Sequence, residues 1–141
     1  MLRKILPGLI TVLLFTGCGG NANPQTEITL EMTDFSYNSP SLTVPVGQPV
    51  VITLENQGLV EHDFVIEQIE ARVVMMDENG SDAHHAHGEA ANYDVHASTQ
   101  AGQTTTLELT VLEPGTYQFF CSVEGHLEAG MIGELVVLAE E

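Results

Sequence analysis

Of 141 residues, three are Lys or Arg and twenty are Asp or Glu, for a formal charge of −17. So acidic a chain is set against nucleic acid and against direct adhesion to anionic lipid. The same field either keeps the protein soluble or steers a cationic partner into contact, and both readings stand.

The first stretch is unlike the rest. Arg3 and Lys4 precede the apolar run ILPGLITVLLF, which is too short to span a bilayer, and small residues follow. A basic start, a short apolar middle and a small-residue end make a secretory signal, so export to a periplasm or cell envelope is expected. The end of the stretch, FTGCGG, resembles the lipobox of bacterial lipoproteins, with Phe15 where Leu is usual. That resemblance implies a signal peptide over residues 1–17 and lipid on Cys18, with ordinary secretion as the alternative. At about 0.8 kcal/mol per buried methylene, several acyl chains on Cys18 would hold the protein at a membrane without spanning it. Residues 18–26 are small, polar and aperiodic, and read as a flexible tether. Without the leader, Arg72 is the one basic residue left. With Cys18 given to lipid, Cys121 has no disulfide partner, and an unpaired thiol in an oxidising compartment calls for an occupant such as a metal.

From residue 27 the chain reads as strands. In EITLEMTDF, Ile28, Leu30 and Met32 alternate with Thr29, Glu31 and Thr33, the period of a strand with one buried face. SLTVPVGQPVVITLENQG and HDFVIEQI follow, and after an interruption TTTLELTV, GTYQFFC and MIGELVVL. No stretch beyond the leader carries a helical period. Short strands punctuated by Pro, Gly and Asn predict one all-β domain over 27–141, an antiparallel Greek-key β-sandwich or barrel.

The interruption, DENGSDAHHAHGEAANYDVH at about 77–96, is long for a connection in a small β domain. It carries His84, His85, His87 and His96, with Asp82, Glu89 and Asp94 among them. Imidazole and carboxylate suit Cu(II), Zn(II) or Ni(II), so this is a possible second metal site. The spacing matches no fixed ligand frame, and a solvated polar loop is the other reading. Met75 and Met76 at its base either pack in the core or assist Cu(I).

CSVEGHLEAGM is the sharper constellation. Cys121 ends a strand on the parity of Tyr117 and Phe119, which predicts an inward sulfur. His126 and Met131 follow on a loop whose glycines at 125, 130 and 133 permit tight curvature. His62, at the entry to HDFVIEQI, offers a fourth donor. Two imidazoles, a thiolate and a weak thioether are the donor set of a blue-copper centre.

His62 with Cys121, His126 and Met131, spaced C-x4-H-x4-M, resembles the type I copper site of the cupredoxins, the plastocyanin, azurin and auracyanin group. The resemblance spans residues 27 to 138 and implies a cupredoxin-like fold holding one copper ion. It makes His62, Cys121 and His126 the strong ligands and Met131 the axial one. Asp63 stands where azurin-like members often have Asn, a residue that braces the cysteine loop by hydrogen bonds. Glu124 stands where relatives often have Pro. By the same resemblance His126 is the electron-transfer port, within an apolar rim of Gly58, Leu59, Leu127 and Ala129.

A dinuclear copper site needs a second loop cysteine and multicopper oxidases need several His-x-His pairs, and neither set is present. Four donors leave no open position for substrate, so a carrier rather than an enzyme is expected. The expectation is a monomeric, membrane-tethered shuttle passing one electron between redox partners, such as a basic c-type cytochrome or an oxidase. The alternative is a lipoprotein for copper storage, tolerance or delivery that works through its histidine loop. A metal-free adhesive sandwich would leave Cys121 unexplained.

Overall fold

A computed structural model describes residues 23–76, 82–83 and 93–139. The leader, Cys18 and the loop histidines His84, His85 and His87 lie outside the described residues. In chain order the strands are β1 (Glu27–Thr33), β2 (Ser36–Tyr37), β3 (Ser41–Pro45), β4 (Val50–Asn56), β5 (His62–Ile66) and β6 (Ala71–Met76). They continue as β7 (Asp82–Ala83), β8 (Val95–Thr99), β9 (Thr104–Val111), β10 (Gly115–Phe120) and β11 (Ile132–Leu138). No described residue is helical.

The strands form two sheets, ordered β2-β1-β4-β9-β6-β7 and β3-β11-β10-β5-β8, packed as a sandwich. Two pairings depart from the antiparallel expectation: β1 runs parallel to β4, and β3 runs parallel to β11. Parallel neighbours need a long crossover. Here the chain supplies it by leaving one sheet for the other between β2 and β3 and returning with β4.

Period-two patterning explains the core. Ile28, Leu30 and Met32 of β1, Val50, Ile52 and Leu54 of β4, and Leu107, Leu109 and Val111 of β9 all face inward. They meet Phe64, Phe119, Leu135 and Val137 of the facing sheet. The Phe119 ring packs at 5.0 Å from both Phe64 and Tyr37. It lies across its ladder partner Gly133, where a Cβ would overlap the ring. Gly133 is thus needed for the room it leaves and not, as its sequence context implied, for curvature.

Strand β5 is buried along its whole length. His62, Phe64 and Ile66 face the core. Val65 lies opposite both His96 and Phe120, and Asp63 opposite Ser98, so these side chains share the outer face of the sheet. The Tyr93 ring packs on that face, 5.8 Å from Phe120 and 6.1 Å from His96.

His96 is therefore a strand residue. The histidine-rich insertion ends before β8 at Val95 and not at residue 96. Met75 of β6 packs against the core.

Candidate metal centre

Three elements bring the donors to one end of the sandwich. His62 opens β5, Cys121 follows the last residue of β10, and His126 and Met131 lie on the loop into β11. The loop is closed by its own backbone. His126 N–H donates to Val123 O at 3.0 Å, Met131 N–H to His126 O at 2.9 Å, and Cys121 N–H to Met131 O at 3.1 Å. Gly125 (φ 84°) and Gly130 (φ 101°) take left-handed conformations that a side chain would strain, so these two loop glycines do serve curvature.

The ligating atoms of His62, Cys121 and His126 all lie within 4.8 Å of one another, and all three residues are buried. Cys121 Sγ stands 3.4 Å from His126 Nδ1 and 3.9 Å from His62 Nδ1. A nitrogen and a sulfur bound to one ion at about 2.0 and about 2.3 Å, with roughly 120° between them, stand about 3.7 Å apart. The two observed distances bracket that separation, so the residues fit one small ion of borderline softness. Met131 is wholly buried at the same end, tied by the backbone bonds above to Cys121 and His126.

Burial sets the protonation of two of these groups. It pushes the Cys121 thiol up, against the backbone N–H groups of Asp63 and Val123, which stabilise the thiolate. It pushes His62 down, against the Asp34 carboxylate, which favours the imidazolium. A neutral imidazole is ready to ligate, whereas the thiol must release its proton when a metal enters. Burial likewise holds the Tyr37 phenol far above its ordinary range.

Asp63 ties the site together. Its N–H donates to Cys121 Sγ at 3.3 Å and its carbonyl accepts Tyr37 O–H at 2.6 Å. The carboxylate accepts Ser98 O–H at 2.7 Å and also the Ser122 hydroxyl, linking β5, β8 and the residue after the cysteine. Asn56 adds a brace: its Nδ2 donates at 2.8 Å to the carbonyls of Val60 and Thr99, and its Oδ1 accepts Gly58 N–H.

His126 is 6% exposed. Phe35 is 51% exposed and Leu127, next in the chain to His126, 39%; Leu59 (85%) and Val60 (47%) on the turn before β5 are exposed apolar side chains as well. The Phe35 ring meets His126 edge-on at 5.0 Å.

His96 is not gathered with the triad. Its Nε2 lies 3.5 Å from Asp63 Oδ2 and makes no hydrogen bond among the described residues.

Sequence reasoning missed Asp34, Phe35, Asn56, Ser98 and Ser122. Asn56 had a signal, since Asn before Gln-Gly is turn chemistry. Phe35 had none.

A family model described as a cupredoxin-like domain matches residues 7–137. Auracyanin-A of Chloroflexus aurantiacus is 33% identical over 97% of this chain and 95% of that one. The copper-resistant cuproprotein CopI of Rubrivivax gelatinosus is 28% identical over 84% of this chain and 70% of that one. The crystal structure of reduced auracyanin from Roseiflexus castenholzii superposes with a TM-score of 0.62, at 23% identity, over 82% of this chain and 99% of that one.

Proposed function

Because this chain belongs to the cupredoxin-like family, we propose that it is an exported type I copper protein that carries single electrons between redox partners. The observation that carries this reading is the buried triad of His62, Cys121 and His126 beside Met131. His62, Cys121 and His126 would hold the ion, with Met131 as a weaker fourth donor. Copper, when bound, supplies a one-electron couple.

The chain's own residues do the rest. Two fixed imidazoles and a buried thiolate hold their positions whichever oxidation state is present, since the ladder of β5 and β10 and the closed loop leave them little room to move. The core excludes water from Cys121. His126, with Phe35 against its ring and Leu127 next in the chain, is the port where a partner's redox group comes within reach. That small apolar patch suits a brief encounter, and the surrounding acidic field favours a cationic partner such as a basic c-type cytochrome or an oxidase. Filled coordination and the lack of an open position favour a carrier over an enzyme.

Residues 1–17 serve as the signal peptide, Cys18 as the lipid attachment point and residues 18–26 as a tether holding the monomeric domain at a membrane. The composition of those segments supports this. Copper loading followed by visible spectroscopy tests the site. An intense thiolate charge-transfer band is expected, and a protein that takes up copper without colour would overturn the electron-carrier reading.

A second reading, copper storage, tolerance or delivery, is favoured by the similarity to a protein described as a copper-resistant cuproprotein. His84, His85 and His87 are its working residues. Deleting residues 84–92 tests it: the handling role requires that copper uptake or delivery fall while the visible band stays.

A further inference from the structure

Asp34 and Phe35 make the tip of the β1–β2 hairpin, whose last paired residues are Thr33 and Ser36. Phe35 sits at φ 69°. A bulky residue adopts that left-handed conformation only where its surroundings hold it, and such strain gathers at functional sites. The turn so held reaches both imidazoles from outside, with Phe35 against the ring of His126 and Asp34 against His62.

Asp34 Oδ1 lies 3.4 Å from His62 Nε2, at the long end of hydrogen bonding, and the same oxygen accepts Leu59 N–H at 3.0 Å. The path between carboxylate and ring is kept clear by a missing side chain. A Cβ on Gly58 would stand 2.5 Å from Asp34 Oδ1 and 2.6 Å from His62 Nε2. An oriented carboxylate and an obligatory glycine converge on one ring nitrogen, and the carboxylate is carried on a strained turn.

The chemistry of that nitrogen follows. A carboxylate oxygen accepts hydrogen bonds and donates none, so Nε2 must carry the ring hydrogen. Nδ1, which faces Cys121 Sγ at 3.9 Å, is then left with its lone pair.

We propose that Asp34 is a positioning residue of the copper site: through His62 Nε2–H it selects the tautomer that presents Nδ1 to the metal and makes that nitrogen a stronger donor. This rests on the reading of the site as type I copper. A carboxylate behind a ligating imidazole raises the ligand's basicity. The added electron density and negative charge favour the divalent ion over the monovalent one, so Asp34 holds the reduction potential down. The Asp34 side chain is 38% exposed, so solvent screens its charge, and the tautomer choice is the larger part of its effect.

The full chain is compared with Asp34→Asn and Asp34→Ala, first without copper. Nitrogen NMR of the His62 ring is expected to show the Nε2–H tautomer in the native protein and in Asp34→Asn, whose amide oxygen still accepts, and a mixture in Asp34→Ala. Each is then loaded. Competition titrations are expected to show Cu(II) affinity falling relative to Cu(I) by about tenfold or more in Asp34→Ala, less in Asp34→Asn, with the potential rising in the same order.

An unchanged tautomer in copper-free Asp34→Ala, or an unchanged ratio of Cu(II) to Cu(I) affinity in a variant that still turns blue, overturns the role of Asp34. A native protein that never turns blue overturns the copper reading instead, and the copper-free tautomer still decides whether Asp34 orients His62.

Discussion

His62 and His96 stand on paired strands, β5 and β8, yet they face opposite sides of the sheet and differ in how they are held. Both nitrogens of His62 have a neighbour, Cys121 Sγ at 3.9 Å on one side and Asp34 Oδ1 at 3.4 Å on the other. His96 has a carboxylate 3.5 Å away, beyond hydrogen bonding, and its side chain is 29% exposed. What distinguishes the two rings is fixation from both ends.

That contrast can be broken at several points. Replacing Cys121 with Ser is expected to abolish the visible band entirely, whereas His96→Gln leaves its intensity intact; absorption spectra of the two loaded variants decide it. Gly58→Ala drives a methyl group between Asp34 and His62 and is expected to cost about 3 kcal/mol, at the upper end for overpacking. Denaturant unfolding of the copper-free protein measures this. Gly58 has no left-handed backbone to strain, so the loss reports the steric overlap itself.

Asp63→Ala removes the acceptor of Ser98 and Ser122. Both hydroxyls can turn to water, so the cost is expected at about 1.5 kcal/mol, with Asp63→Asn losing less.

The pH profile of copper-free stability sharpens the same comparison. His62 titrates below the ordinary imidazole in the fold, so its contribution is present above about pH 6.5 and is lost as the pH falls. Cys121 titrates above the ordinary thiol, so its contribution is present below about pH 8.5 and is lost as the pH rises. Unfolding midpoints should therefore fall on both flanks. Cys121→Ser should flatten the alkaline flank. The smallest expected effect is that of His96→Gln on stability, within about 0.5 kcal/mol.

Much of this was legible in the sequence. Strands β1, β4, β9 and β11 alternate inward and outward residues, and that period survives into the fold because each has one face on the core. The cupredoxin resemblance was carried by Cys121, His126 and Met131 at fixed spacing with His62 upstream, and the family match agrees with it. What stayed hidden depends on partners distant in the chain. Strand β8, VHAST, reads as the end of a histidine-rich loop until β5 is placed beside it. Strand β6 is half-buried almost throughout and shows no alternation. The parallel pairings follow from crossovers that no local pattern records. Nothing in the residues Asp34 and Phe35 announces a left-handed turn, because the contacts that hold Phe35 there come from His126, far along the chain.

The pairing of β11 with β3 on one side and β10 on the other sets the order in which the site can come into being. Cys121 and His126 are close neighbours in sequence, but the loop that carries them is anchored on its far side by a strand whose parallel partner lies near the start of the domain. Closing so long a span is slow. A nascent chain therefore exposes thiol and imidazole as separate, weak donors until its last strand docks. The donors thus come together only when folding is complete.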